Sequence, residues 1–300
     1  MIRFFLKYIL DISFRAHYLV FRWICVDFFL SNLKKESIIL EIGGGYNPRF
    51  LKSEYKNVYH MDHCSKESLK NKYGKDGSVS GMVGNIQEVD FILKSKSFSE
   101  IIPDGLLFDF IYSSHVIEHQ LDLVCFFTSI ENSLKDSGNA VLIVPDMGSC
   151  FDRFRFPTVT SDVVSRHQIK KTVHQGKQVY EALSQSININ PGRKIFESDL
   201  RDVFFTYDMG FAYGSLIEAE SPESNYKDVH AWAFTPDSFR LLMVELFLLG
   251  LVELEVVRIT PVYGNQFGVF LKKTDVDRRF TLFDLYKKDR VKLAKKVYRF

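Results

Sequence analysis

The residues most able to do chemistry lie in two short runs. In the first, Ile39-Leu40-Glu41-Ile42-Gly43-Gly44-Gly45-Tyr46-Asn47-Pro48, an apolar strand runs into glycines and then a helix start. Glycines there let a ligand approach the backbone, and the N–H groups opening a helix face any anionic group that arrives. A dinucleotide fingerprint needs a third glycine where Pro48 stands, which argues against a dehydrogenase. Glu41, at the strand's end, suits instead a cofactor with a cationic amino-acid part. Downstream, Tyr59-His60-Met61-Asp62-His63 closes a second strand on an acid that can accept both hydroxyls of a ribose, with His63 beside it. An acid at a strand end more often caps a helix, but its place after the glycine loop favours the ribose. Val89-Asp90-Phe91 offers a carboxylate for an adenine amino group and an aromatic face next to it.

The second run is Phe108-Asp109-Phe110-Ile111-Tyr112-Ser113-Ser114-His115-Val116-Ile117-Glu118-His119. It delivers Ser113, Ser114 and His115 to the carboxyl edge of a sheet, where open α/β sheets bind their ligands. Ser113 and Ser114 are placed on the cofactor side. Imidazole titrates near neutral pH, so His115 is the candidate base for an acceptor hydroxyl. His119, one turn later, would orient His115, contact substrate or pack beneath it. H-x-x-E-H differs from the H-E-x-x-H of common zinc hydrolases, and no third ligand is apparent, so no metal is assigned.

These runs need a scaffold that brings strand ends together. From Ser37, short apolar runs alternate with polar helical stretches, the mark of βα units feeding a mostly parallel sheet. Strands are expected over 37–42, 57–62, 107–113 and 140–145, with weaker signals at 79–83 and 86–90. Helices are expected from Asn47-Pro48 and over 121–134. Residues 146–230 break the rhythm and read as an insertion that walls the acceptor side, concentrating Asp146, Asp152, Arg155 and His230 as candidate substrate contacts. Thr235-Pro236-Asp237-Ser238 caps a helix that Gly250 ends. Residues 251–260 and 266–272 alternate like an antiparallel hairpin.

Composition narrows the partners. A net charge of +2 and a pI near 8.2 give no field that would call for nucleic acid. The four cysteines, Cys25, Cys64, Cys125 and Cys150, form no C-x-x-C pair, so a reducing, cytoplasmic setting is expected. Residues 2–30 read as one or two amphipathic helices, with Arg3, Lys7, Asp11, Arg15, Arg22 and Asp27 too frequent for a spanning helix. Packing on protein is the plainer use of such helices, and peripheral contact with the inner membrane the other. The expected organisation is an N-terminal segment 1–35, a domain 36–272, and a basic helix or tail 273–300. The oligomeric state is left open.

The two runs, with Leu134-Lys135-Asp136-Ser137-Gly138-Asn139-Ala140-Val141-Leu142-Ile143-Val144-Pro145-Asp146 and Asp228-Val229-His230-Ala231-Trp232-Ala233-Phe234-Thr235-Pro236, resemble class I S-adenosylmethionine methyltransferases. Within that class the chain looks like the bacterial group with an L-E-I-G-P-x-x-N-P loop and an S-H-V-I-E-H motif, whose members often accompany glycosyltransferases of surface-polysaccharide synthesis. The resemblance covers residues 36–272 and implies a Rossmann-like α/β sheet, mostly parallel with a C-terminal antiparallel hairpin. It implies that Glu41, Gly43 and Gly45, with Gly44 between them, hold the methionine part of S-adenosyl-L-methionine, Asp62 the ribose and Asp90 the adenine. Gly44 replaces a common proline or cysteine, and the run from Asp146 to Arg155 lacks the group's usual basic and aromatic middle, which bears on the acceptor. The expected function is O-methylation of a sugar or glycan intermediate. A small metabolite or quinone acceptor is the alternative, as is a non-catalytic binding or membrane-peripheral protein.

Overall fold

The computed structural model describes residues 33–93, 97, 100–169, 171–189 and 203–298. Two compact units divide the chain, Met1–Lys35 and Glu36–Phe300. The amphipathic helices expected over 2–30 lie outside the described residues. Among the described residues no helix is long and apolar enough to cross a membrane.

The second unit is built on a seven-stranded sheet: β1 (Ile39–Ile42), β2 (Val58–Asp62), β3 (Phe91–Ile92), β4 (Phe108–Ser114), β5 (Leu134–Pro145), β8 (Leu254–Ile259) and β9 (Gln266–Lys273). Their order across the sheet is β3-β2-β1-β4-β5-β9-β8. The pairs from β3 to β5 are parallel, while β9 runs antiparallel to both β5 and β8. This is the expected Rossmann-like α/β sheet, mostly parallel with a closing antiparallel pair. Strand order reverses between β1 and β4, so a crevice opens there at the carboxyl ends, the usual ligand position in such sheets.

The sequence dictates these elements in simple ways. All four residues of β1 are buried, as a parallel strand covered on both faces requires. Helix α2 (Leu123–Ser133) starts where the Asp122 carboxylate accepts the Cys125 N–H, and it buries Leu123, Phe127 and Ile130. Helix α6 (Pro236–Leu248) has the expected capping box of Thr235 and Ser238, with proline at its start and Gly250 (φ +70°) just past its end. One stripe of α6, including Phe239 and Leu246, joins the sheet core. Another, Leu241, Val244 and Phe247, packs on Leu282, Tyr286 and Leu293 of helix α7 (Val276–Tyr298), so the basic C-terminal stretch has a buried apolar face.

The insertion holds helices α3 (Thr160–His167), α4 (Gly176–Ser184) and α5 (Met209–Glu220), and a small ribbon of β6 (Ile187–Ile189) with β7 (Val203–Phe205). Helix α1 (Lys66–Tyr73) follows β2. Two expectations fail locally. Residues 79–83, read as a weak strand, fall largely in a short 3-10 turn at Ser80–Asn85, and the strand expected over 86–90 lies instead at Phe91–Ile92. The helix expected from Asn47-Pro48 is absent: the Arg49 and Phe50 N–H groups go to Glu41 and the Lys52 N–H to Gln87 Oε1, so no carbonyl ladder begins.

Candidate active site

The chain turns sharply as β1 ends. Gly43 takes φ +71° and Gly45 φ +47°, both in the left-handed region that favours glycine. A Cβ on Gly43 would stand 2.2 Å from Val116 Cγ2. The Gly43 N–H donates to Met61 O at 2.8 Å, tying the loop to β2. Beneath it Glu41 is 1% exposed, with Oε1 accepting from the Arg49 N–H (2.7 Å) and Oε2 from the Phe50 N–H (2.8 Å). Burial pushes its carboxyl up to about 7 against the pull of those two donors. His60 Nδ1 lies 3.8 Å away, and burial, with Lys52 nearby, brings that imidazole down to about 4. Glu41 therefore shapes the loop from inside. A contact with the methionine part was expected of it; here both its oxygens clamp the backbone that follows the glycines.

Asp62 ends β2 beside this loop. Its Oδ2 accepts the Gly45 N–H at 3.3 Å, and its Oδ1 accepts the His63 N–H at 2.8 Å and meets His63 Nδ1 at 2.6 Å. A shallow, open cleft lies here between the glycines and Asp62, with Leu69, Ile86 and Val89 as apolar walls. A carboxylate at a strand end, glycine backbone beside it and apolar surface opposite fit a nucleoside: two hydroxyls for the acid, a flat base for the walls.

Asp90 and Phe91 do not face that cleft. The Asp90 carboxylate binds Lys52 Nζ through both oxygens at 2.7 Å and accepts the His60 N–H at 2.8 Å. Phe91 is buried in β3 and stacks on Tyr59 at 5.7 Å. The adenine was expected at these two residues; here Asp90 ties a loop to β2, and Phe91 packs in the core. The residues presented to the cleft are Ile86, Gln87 and Val89, just upstream.

Across the switch point, Ser113 pairs in register with Ile42 and Ser114 with Ile143, so both stand at the carboxyl edge of β4. His115 follows with φ +54°, the only positive φ at a non-glycine among the described residues. Such strain persists where surroundings over-determine the geometry, as at functional sites. Its N–H is held by Ile143 O, and its Nε2 lies 2.7 Å from Gln266 Oε1. Gln266 is there because β9 starts opposite Pro145, the end of β5. His115 Nδ1 points at Glu118 Oε1, 3.5 Å away.

Glu118 is completely buried, yet neither of its carboxylate oxygens has a hydrogen-bond partner. Three imidazoles surround it instead: His115, His119 Nε2 at 3.8 Å and His230 Nε2 at 3.8 Å. Burial alone would raise the Glu118 carboxyl, but the imidazoles outweigh it and hold it below the ordinary range. Burial likewise works against charge on His115 and His119, and is outweighed by Glu118 in the first and by Asp228 and Glu118 in the second, so both are raised. Behind the rings stand further acids. His119 Nδ1 is 3.1 Å from Asp228 Oδ1, and His230 Nδ1 is 2.6 Å from Asp152 Oδ2.

Four residues of the insertion were expected at the substrate. His230 joins the cluster. Asp152 and Arg155 lie one layer further in, at 1% and 7% exposure: the guanidinium binds Asp152 Oδ1 (3.0 Å) and the carbonyls of His230 (2.6 Å) and Ala231 (3.2 Å). Substrate contact was expected of both; here they fix the segment that carries His230. Asp146 is separate, its Oδ2 accepting from Ser149 Oγ at 2.7 Å in a short turn, with burial raising its carboxyl.

A family model described as a methyltransferase domain matches residues 15–184. The chain belongs to this family. No curated protein matched the chain. Among solved structures it is similar to the mitomycin 7-O-methyltransferase MmcR, at 13% identity and TM-score 0.36, over 80% of this chain and 49% of that one. The chain thus spans about half the length of MmcR. It is also similar to an S-adenosylmethionine-dependent methyltransferase from Clostridium acetobutylicum (14%, TM-score 0.41, 88% and 100% covered) and to the glycopeptide N-methyltransferase MtfA (10%, 0.39, 83% and 92%).

Three residues of this methyltransferase's candidate site escape a reading by strand ends. Glu118 sits inside the H-x-x-E-H motif, but only its burial among histidines reveals its weight. Asp228 and Gln266 gain theirs through pairing with His119 and His115 across the fold. The motif Asp228-Val229-His230 was the available signal for the first; nothing local marks Gln266.

Proposed function

We propose that the methyltransferase O-methylates a sugar or glycan intermediate, with His115 as the base. The observation carrying this is the strained His115, fixed at the sheet's carboxyl edge between Gln266 and a buried carboxylate. S-adenosylmethionine supplies an electrophilic methyl on a sulfonium. The chain's task is to align the acceptor oxygen behind that methyl and to take its proton. In its neutral form, with the remaining proton on Nδ1 toward Glu118, His115 offers the Nε2 lone pair once Gln266 Oε1, to which only a protonated Nε2 can donate, has given way to the acceptor. There an acceptor hydroxyl would transfer its proton as the oxygen–methyl bond forms and the carbon–sulfur electron pair stays on sulfur. Asp62 would hold the ribose, the glycine loop the amino-acid part, and the polar insertion the acceptor. A lining of imidazoles and carboxylates suits a polyol.

The test joins two measurements. Methyl-tritiated S-adenosylmethionine incubated with cell lysate should label the glycan fraction; label confined to lipid or protein fractions would overturn the acceptor class. His115→Asn should lower turnover about a hundredfold or more with S-adenosylhomocysteine affinity nearly unchanged. Normal turnover would remove His115 as the base.

A further inference from the structure

Outside the proton-transfer role, the histidine cluster has the chemistry of a metal centre. We propose that Glu118, His119 and His230 bind one divalent first-row transition-metal ion, with their ligand atoms converging on a single point at the rim of the acceptor side. The three ligand atoms lie within 4.8 Å of one another, and the two Glu118–imidazole separations are 3.8 Å. Donors bound at 2.0–2.1 Å around a tetrahedral ion stand about 3.4 Å apart, so small rotations of the rings complete the set.

Two independent features point to a ligand. Glu118 is wholly buried and both its oxygens lack hydrogen-bond partners, a costly arrangement that a cation between it and the imidazoles relieves. Each histidine presents Nε2 to Glu118 while a carboxylate stands at its Nδ1, Asp152 for His230 and Asp228 for His119. Hydrogen-bonded at His230 Nδ1 and in ion-pair contact at 3.1 Å at His119 Nδ1, this is the carboxylate–histidine arrangement that orients metal-binding imidazoles and raises their basicity. Arg155 anchors Asp152 and the His230 carbonyl, so the outer layer is itself braced.

The donor set selects the ion class. Two imidazoles and one carboxylate suit Zn²⁺, Co²⁺, Fe²⁺ or Mn²⁺, whereas Mg²⁺ and Ca²⁺ prefer oxygen ligands throughout. The side chains of His119 and His115 keep 28% and 38% exposure, which leaves the site open toward an incoming oxygen. Resting on the O-methylation reading, the ion's role would be to polarise the acceptor hydroxyl that His115 deprotonates. The sequence lacked a visible third ligand for H-x-x-E-H; the fold supplies it from position 230.

The experiment uses the full chain, stripped of metal, without cofactor or acceptor, so its outcome is independent of the methylation chemistry. Titration with Co²⁺ should show one equivalent bound with visible d–d absorption, and Zn²⁺ should displace it. Equimolar Mg²⁺ or Ca²⁺ should not. Glu118→Gln, His119→Ala and His230→Ala should each lose saturable binding. Asp228→Asn, partly exposed and easily accommodated, should weaken it by about 10–100-fold. His167→Ala, outside the cluster, should bind as the parent does. Circular dichroism reports whether each variant is folded, and the Asp228 variant keeps the test decisive if a buried substitution is not. Absence of saturable binding by the folded parent, or unchanged binding by folded His119→Ala, would overturn the site and leave Glu118 balanced by protonated histidine alone.

Discussion

The cofactor side and the acceptor side of this methyltransferase are built in opposite ways. On the cofactor side, Glu41, Asp62 and Asp90 are all engaged by backbone N–H groups, and the glycines take conformations other residues resist. That half is preorganised before any ligand arrives. On the acceptor side, Glu118 is buried with no hydrogen bond among histidines from the end of β4 and the insertion, and one of these, His115, reaches on to Gln266 of β9. One half keeps its polar groups satisfied and rigid. The other keeps charge in reserve, as a site that must bind, deprotonate or coordinate something requires.

The sharpest way to break the rigid half is at its tightest turn. Gly43→Ala adds a Cβ at φ +71° and 2.2 Å from Val116 Cγ2. Left-handed strain of about 1–3 kcal/mol and overpacking of about 1–3 kcal/mol combine, so the variant should lose roughly 2–6 kcal/mol in urea unfolding. Val116→Ala in the same chain should restore only the overpacking share. A loss below about 1 kcal/mol would show that the loop yields.

A buried pair in the same half gives a pH signature of about 3 kcal/mol per group, because each tenfold change in proton affinity between the folded and unfolded chain is worth roughly 1.4 kcal/mol. Glu41 is raised from 4.5 to about 7, so its protonated form stabilises the fold fully below pH 4.5, and that contribution is lost as pH rises through 7. His60 is lowered from 6.5 to about 4, so its contribution is present above pH 6.5 and lost as pH falls toward 4. Between pH 4.5 and 6.5 the slopes oppose. Glu41→Gln should therefore expose a stability that rises with pH across that window, and His60→Phe one that falls. Identical slopes in both variants would dissolve the pairing.

Asp62→Ala tests the ligand-facing edge of the rigid half. Losing hydrogen bonds to a charged group should weaken S-adenosylhomocysteine binding by about 1.5–3 kcal/mol in calorimetry, with the fold intact. An unchanged dissociation constant would reduce Asp62 to a brace for Gly45 and His63.

The same contrast explains what the sequence could disclose. The βα alternation, the capped helix at Thr235 and the closing hairpin were legible because each depends on residues close together in the chain. Asp62 was placed by its distance from the glycine loop. Local reading failed where side chains take over the backbone's hydrogen bonds: Glu41 and Gln87 stopped the helix at Pro48, and the pairing of Asp90 with His60 and Lys52 was not visible either. On the acceptor side the motif showed His115 and His119, but the partnership of Glu118 with His230, and of His115 with Gln266, exists only after the insertion and β9 have folded back.

Asp90 gives the smallest effect and still separates two accounts of the cofactor side. If its carboxylate faced adenine, Asp90→Asn would cost binding on the scale expected for Asp62. With both oxygens on Lys52 and one also on the His60 N–H, it has little left to offer a ligand. Asparagine keeps an oxygen for the His60 N–H and loses only a partly exposed ion pair, whose worth is about 0.2–1 kcal/mol. The variant should therefore melt slightly lower, in a salt-sensitive way, while S-adenosylhomocysteine affinity changes by less than about threefold, or roughly 0.6 kcal/mol. A tenfold weakening would return Asp90 to the adenine and require its side chain to swing from Lys52 when the cofactor binds. Unchanged binding, with the small loss in stability, leaves adenine recognition to Ile86, Gln87 and Val89, the residues that line the cleft.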